Sequence, residues 1–312
     1  MKKYLIVLLI LTVVVTGCGK KEDSNNKDYL QCNFEGEMVK GTEYVNGQYT
    51  YRYLEENYSG DSWRDIEGGW SVILTDKDLN EPVTSKVCST INGKPIVSMV
   101  NMLSKSNATY VDTSSFDTSN VVNMAYMFAW SEIENADISH FDTSKVTDMS
   151  SMFRMSELID INVSNFNTSN VVNMNAMFYE TIDTDIDVSN FDTSKVTNMA
   201  MMFSSTKMSK IDLKNFNTSN VETIYMMFCD AEASEINVSN FDVSSVDGFN
   251  GMFTNVKLDK LDLSSFDIKS DDVVDEIFIG AEIGKVYVKN ENVKDILSTE
   301  STTPNTIEFV VK

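Results

Sequence analysis

The chain has 312 residues, and its 47 acidic side chains outnumber its 25 basic ones, which gives a formal net charge of −22. A surface of that sign repels nucleic acid and anionic membrane surfaces, so the composition argues against both kinds of partner. The length would allow about two ordinary domains, or one extended repeat array.

Residues 1–17 are predicted to be a secretory signal peptide. Lys2 and Lys3 form a basic start, and the apolar run over residues 4–15 is shorter than the about 20 residues that a membrane span needs. The Val-Thr-Gly-Cys sequence that ends at Cys18 resembles a bacterial lipobox, which implies a diacylglyceryl anchor on Cys18. The alternative is an ordinary signal peptide with an incidental cysteine. We therefore expect a lipid-anchored protein on the extracellular face of the membrane of a Gram-positive bacterium.

Residues 18–27, from the lipidated cysteine onward, are predicted to form a disordered polar tether, and residues 28–90 a small β-rich module. In that module, Glu43–Leu54 predicts a hairpin, because Asn46-Gly47 is a type I′ turn signal flanked by β-forming residues.

Cys32 and Cys88 bracket the β-rich module and are predicted to form a disulfide. Closing so long a loop would stabilise a small module by about 4 kcal/mol on the loop-entropy account. The alternative is a pair of buried thiols.

The module is also rich in aromatic side chains, which either form its core or present a platform for carbohydrate stacking. Their frequency in half-buried strands favours the core. The set comprises Tyr44, Tyr49, Tyr51, Tyr53, Tyr58, Trp63 and Trp70.

A repeat organises residues 91–290, and the first of its coils, residues 91–115, is degenerate. Seven copies open with a phenylalanine, and neighbouring openers lie 25 residues apart, a period typical of a solenoid. The openers are Phe116, Phe141, Phe166, Phe191, Phe216, Phe241 and Phe266.

The repeat, numbered from its opening phenylalanine, has two apolar patterns. Positions 6, 9, 12 and 13 keep one face of a helix apolar, and Thr-Ser at positions 3 and 4 would cap its start, so a short helix is predicted over positions 5–13. Positions 21 and 23 alternate with polar residues, which predicts a short strand. The expected fold is thus an α/β, leucine-rich-repeat-like solenoid of strand–helix coils. Residues 291–312 are expected to cap it.

Polar side chains at positions 20, 22 and 24 would face outward from these strands. The column at position 22 is largely acidic, and calcium between coils could offset the repulsion, although interspersed asparagine already dilutes it. No other cofactor is indicated. We predict a binding surface that includes Asp137, Asp160, Asn162, Asp185, Asp187, Asp212, Asn237 and Asp262.

Catalysis finds little support in the sequence. His140 is the only histidine, and it occupies position 25, where most other copies carry an asparagine. Those asparagines are expected to form a ladder at the strand exit. Cys229 follows a core phenylalanine and is expected to be an inert thiol, and the methionines at positions 9 and 12 are expected to pack in the core instead of binding a soft metal. We therefore predict no enzymatic activity.

Two resemblances bear on fold and function. The segment Leu158–Phe166 resembles the leucine-rich-repeat consensus, with one residue fewer on each side of its asparagine. The repeat Phe-[Asp/Asn]-Thr-Ser-[Asn/Lys]-Val-x-[Asn/Asp]-Met-x-x-Met-Phe resembles the BspA-like family of bacterial surface lipoproteins over residues 91–290. This resemblance implies display at the cell surface and adhesion to host or bacterial components.

The sequence therefore predicts a surface lipoprotein whose solenoid binds an extracellular protein or glycan. One alternative is a structural envelope spacer or shield without a specific ligand. Another is a hydrolase within residues 28–90, which the lack of any histidine there disfavours.

Overall fold

A computed structural model describes residues 29–54, 68–270 and 273–312. The signal peptide, Cys18, the tether, Tyr58 and Trp63 lie outside these ranges. The described chain forms a β-solenoid of about ten turns with little helix. The predicted solenoid is confirmed, whereas the predicted strand–helix coil is wrong.

The chain begins in a six-stranded sheet, whose strand order is β1-β5-β6-β4-β3-β2. The strands are β1 (Leu30–Cys32), β2 (Glu43–Asn46), β3 (Tyr49–Leu54), β4 (Gly69–Leu74), β5 (Cys88–Ile91) and β6 (Lys94–Ser98). The predicted module ends at residue 90, but the sheet continues beyond it, because β5 ends at Ile91 and β6 begins at Lys94. The residue that ends β6 forms a parallel bridge with Asn123 of the next coil, so sheet and solenoid are continuous.

The predicted hairpin is present as β2 and β3, but its turn lies one residue later than expected. Asn46 pairs with Tyr49, so the two loop residues are Gly47 and Gln48. Only Gly47 has a positive φ, at 59°. A positive φ at the first loop residue alone fits a type II′ turn, not type I′.

The aromatic side chains that the structure describes in the module pack in its core or against it. Tyr49, Tyr51 and Trp70 are fully buried, which favours the packing interpretation over a stacking platform. The Tyr51 hydroxyl accepts a hydrogen bond of 2.9 Å from the backbone N–H of Cys88. Tyr49 meets Phe116 edge to face, with 6.2 Å between ring centroids, and so joins this core to that of the solenoid.

The C-terminal coils contain regular parallel strands. They are β7 (Lys210–Asp212), β8 (Glu235–Asn237), β9 (Lys257–Leu263) and β10 (Glu282–Val288). The helix α1 (Glu291–Thr299) and the strand β11 (Glu308–Val311) follow, and β11 pairs with β10. The Asn290 side chain caps α1 by accepting a bond from Val293 N–H. No helix in the described ranges is long and apolar enough to cross a bilayer.

Positions 5–13 form consecutive turns instead of the predicted helix. Alternate N–H groups leave their own coil: those of Met149, Ser151 and Phe153 donate to carbonyls of the following coil at 2.8–3.0 Å. In an α-helix the same groups would bond four residues back. The residues at positions 11 and 15, such as Ser151 and Met155, have φ between 50° and 65°, which a right-handed helix excludes.

The threonine at position 3 also differs from its predicted role as a helix cap. It is buried and bonds the following coil. The Thr193 hydroxyl donates to the Asn217 carbonyl at 2.9 Å and accepts from the Asn217 N–H at 2.8 Å. Thr143 makes the same pair of bonds to Asn167. These threonines therefore link coils and do not start a helix.

The apolar side chains stack in columns along the solenoid. The position-13 phenylalanines, from Phe128 to Phe278, stack with ring centroids 5.5–6.1 Å apart. The methionines at positions 9 and 12, such as Met174 and Met177, are fully buried beside them. Packing is therefore the role of these methionines, as predicted.

A candidate binding face on the outward strand side

The predicted binding residues all point away from the core. Ile211 and Leu213 of one coil are buried, whereas Asp212 between them is half exposed, and the same alternation holds in the other coils. Asp137, Asp160, Asn162, Asp185 and Asp187 are exposed, and Asp212, Asn237 and Asp262 are half exposed. We call this outward side of positions 17–25 the strand face.

Side chains at position 22 have a local structural task. The Oδ1 atom of Asp137 accepts the N–H of Ser139, two residues on, at 3.0 Å, and Asn162 does the same for Ser164 at 3.1 Å. Such a bond forms an Asx turn, which either aspartate or asparagine can make. This explains why both residue types occur in the column.

These bonds also keep the carboxyl groups ionised. Hydrogen bonds from Ser189 lower the pKa of Asp187, and hydrogen bonds from Ser114 lower the pKa of Asp112. In Asp187 and Asp112, the turn thus favours the ionised carboxylate and holds it in place.

Position 20 differs, because its carboxylates have no such task. Asp160 and Asp185 form no side-chain hydrogen bond or ion pair among the described residues, and both are exposed. Their carboxylates are available to a partner, and changing them leaves the turns intact.

A shallow depression of about 570 Å³ opens on the strand face across the first three coils. Its lining contains the carboxylates of Asp112, Glu134, Asp137 and Asp160, together with Tyr110 and His140. Sequence reasoning did not place Tyr110, Asp112 and Glu134 in the surface. The 25-residue register could have found Tyr110 and Asp112, because they occupy positions 20 and 22 of the degenerate first coil.

His140 takes the ladder role that was predicted for it. Its Nε2 lies 3.0 Å from the carbonyl oxygen of Thr113 in the preceding coil. Asn165 and Asn240 at the same position donate to preceding-coil carbonyls at 2.8 and 2.7 Å, so the asparagine ladder is confirmed. His140 therefore contributes to the depression while it holds a backbone turn.

The strand face has two electrostatic halves. Its first half comprises residues 107–115, 132–140, 157–165 and 182–190 and contains no lysine or arginine. The carboxylates of this acidic half are Asp112, Glu132, Glu134, Asp137, Glu157, Asp160, Asp183, Asp185 and Asp187.

The second half of the strand face is balanced by cross-coil ion pairs. Lys210 lies 3.1 Å from Glu235, and Lys257 lies 2.8 Å from Glu282. The lysines of this half are Lys207, Lys210, Lys214, Lys257, Lys260, Lys285 and Lys289. The excess negative charge of the strand face therefore lies in the acidic half, whose own residues include no lysine or arginine.

The other predicted site residues within the described ranges are the two cysteines of the β-rich module. Cys32 and Cys88 form a disulfide with their Cα atoms 5.7 Å apart, which joins β1 to β5. Across residues 29–54, 68–270 and 273–312, no three His, Cys, Asp or Glu side chains converge as metal ligands would.

Comparison with known protein families finds one whose model matches the repeat. A family described as "Mycoplasma protein of unknown function, DUF285" matches residues 78–189 and again residues 180–290. The chain belongs to the DUF285 family.

The two DUF285 matches begin 102 residues apart, at 78 and 180, which corresponds to about four coils. Their overlap, residues 180–189, lies at the end of the acidic half of the strand face. The electrostatic division therefore coincides with the boundary between the two DUF285 units. No curated protein and no solved structure matches the chain.

Proposed function

We propose that this DUF285 protein is a lipid-anchored surface protein whose solenoid binds an extracellular protein through the acidic half of its strand face. The partner would present a basic surface. The observation that carries this proposal is the pair of uncommitted carboxylates, Asp160 and Asp185, beside a depression lined by further acids.

The geometry suits association with a protein. The acidic half extends across four stacked coils, so it offers a long and regular surface instead of an enclosed pocket. Complementary charge accelerates encounter and selects against acidic partners, and its effect falls as salt is added. Binding is therefore expected to weaken between low and physiological ionic strength.

Export and anchoring form the part of the proposal that rests on the sequence alone. Lys2, Lys3 and the lipobox-like sequence ending at Cys18 support it, as does the resemblance to BspA-like surface lipoproteins. Labelling of the protein with a fatty acid, abolished by Cys18→Ala, is the expected result. Undiminished labelling of that variant would rule out Cys18 as the anchor.

Binding is tested by screening the purified full-length protein against matrix proteins, glycans and bacterial surface extracts, with and without calcium. The double variant Asp160→Lys, Asp185→Lys should lose a saturable protein hit by about tenfold or more. The matched control is Glu232→Lys, Asp259→Lys, which makes the same charge change at exposed carboxylates of the balanced half. Equal loss in both variants would refute a role for the acidic half.

A structural spacer is the second candidate function. The observation that favours it is the structural use of the position-22 acids, which form turns such as the one between Asp137 and Ser139. A folded protein without any saturable hit in the screen would support the spacer.

A further inference from the structure

A cluster of aromatic and basic side chains lies on the turns at positions 10–16, outside the strand face. Trp130 keeps 37% of its surface exposed and stacks nearly parallel to Tyr126, with ring centroids 5.9 Å apart and 9° between planes. The Arg154 guanidinium carbon lies 5.4 Å from the Trp130 centroid and 4.2 Å from that of Tyr179. The Lys105 ammonium lies 5.6 Å from the Trp130 centroid.

Arg154 is the central group of this aromatic cluster. Its guanidinium lies close to two rings, which fix its position. Its buried Nε has no hydrogen-bond partner, and no carboxylate pairs with it among the described residues. An arginine side chain has five N–H donors that fit a carboxylate in a planar, two-pronged geometry. The terminal N–H groups of Arg154 are thus oriented in advance and have no partner among the described residues, whereas the buried Nε is out of reach of a ligand.

A second cation lies nearby without a partner of opposite charge. Lys105 is exposed and forms no ion pair within the described part of the chain. On a protein with a net charge of −22, two such cations beside exposed rings form a local site for an anion.

Backbone N–H groups in this region already form hydrogen bonds to the next coil. The N–H of Tyr126 donates to Ser150 O at 2.9 Å, and that of Trp130 donates to Arg154 O at 2.8 Å. A peptide therefore cannot add here as a further strand, since strand addition requires free backbone groups. A ligand must bind through the side chains, by stacking and by charge.

We propose that Tyr126, Trp130, Arg154, Tyr179 and Lys105 form a binding site for an anionic saccharide. The flat rings contact the C–H face of a pyranose, and Arg154 and Lys105 bind its carboxylate. The site lies outside the strand face, so it is independent of the protein-binding proposal.

The test is a titration of the purified full-length protein with a hyaluronan tetrasaccharide, which contains glucuronate. The indole N–H resonance of Trp130, assigned with Trp130→Phe, reports binding. The neutral comparison is chitotetraose, and a glutamate-rich peptide tests for a protein ligand. Hyaluronan should bind about tenfold or more tightly than chitotetraose.

Variants separate this site from nonspecific charge. Arg154→Gln should weaken hyaluronan binding by about tenfold and remove the preference over chitotetraose. Lys105→Gln, which changes an exposed side chain, should cause a smaller loss of hyaluronan binding. It tests the same site if Arg154→Gln does not fold. The matched control Lys207→Gln, an exposed lysine of a later coil, should bind as the unaltered protein does.

Several results would overturn the proposal: no shift of the Trp130 resonance, chitotetraose binding as tightly as hyaluronan, or tighter binding of the glutamate-rich peptide. Unchanged binding in folded Arg154→Gln and Lys105→Gln would do the same. None of these results affects the Asp160 and Asp185 experiment, so the two proposals fail separately.

Discussion

Asp148 is the only acidic side chain that is buried among the described residues, with 6% of its surface exposed. It occupies position 8, where its Oδ1 accepts the N–H of Ser150 at 2.9 Å. Asn173 and Asn198 make the same turn in neighbouring coils, with bonds of 3.1 and 3.0 Å. An uncharged amide therefore performs this task equally well.

The first prediction is that Asp148→Asn stabilises the protein by about 1 kcal/mol at neutral pH, because the turn remains and no charge is buried. Burial raises the pKa of Asp148, so the penalty is present above that folded pKa. It disappears as the pH falls below the pKa of the unfolded chain, about 3.9. Urea unfolding at several pH values measures the gain.

The corresponding control is Asp187→Asn, which changes an exposed acid whose pKa is lowered by Ser189. Because a lowered pKa contributes stability that is lost on acidification, this variant should not gain stability at neutral pH. A loss of stability in Asp148→Asn at pH 7 would contradict the account of Asp148.

At the scale of the coil, the buried threonines are the clearest test of how neighbouring coils are joined. Thr193→Val is predicted to lower the free energy of unfolding by about 2 kcal/mol. It removes the bond donated to the Asn217 carbonyl and leaves the Asn217 N–H without its acceptor. The shape of valine fits, since Val243 occupies the same position in a later coil and is buried.

Thr193→Ser is the matched control, because it keeps the hydroxyl and loses only a methyl group. The urea midpoint of the serine variant should therefore lie closer to that of the unaltered protein than the midpoint of the valine variant. If the valine variant is the more stable of the two, the hydrogen bonds of the position-3 threonines do not hold the coils together.

The sequence could predict the period and the core of each coil, but not the path of the backbone between them. Met149, Met152 and Phe153 point inward in the observed turns, as they would in a helix, so the apolar spacing could not distinguish the two. Most of the left-handed positions carry residues such as Ser151 and Trp130, and only Gly251 and Gly280 give the usual glycine signal. In these turns, hydrogen bonding to the next coil outweighs the preference of each residue for a right-handed backbone conformation.

At the scale of the molecule, the stack should tolerate loss of a whole coil. Deletion of residues 191–215 joins Asn190 to Phe216, a junction of the same type as that at Asn215-Phe216. Because each coil contacts mainly its neighbours, the shortened protein should unfold cooperatively. Its urea m-value should fall in proportion to the surface lost.

The control for this deletion removes residues 191–203, about half a coil, and should destroy the stack beyond that point, because the apolar positions no longer align. Equal stability of the two deletion proteins would show that the 25-residue register does not determine the packing.

The candidate sites were predictable to different degrees. The strand face followed from alternation around Ile211 and Leu213, whereas its two electrostatic halves required counting charges coil by coil. The cluster around Arg154 was accessible through the same register, since Lys105 and Trp130, like Arg154 and Tyr179, lie 25 residues apart. What the sequence could not supply was the position of the guanidinium over both rings.

The bonds between coils run along the long axis of the molecule, from the N–H of one coil to the carbonyl of the next. A pull on the two ends would therefore load all of these interfaces in series, and the weakest of them would open first. Each released coil of 25 residues would lengthen the chain by about 80 Å. The protein would therefore lengthen under tension by unfolding coil after coil, while its remaining coils stayed folded.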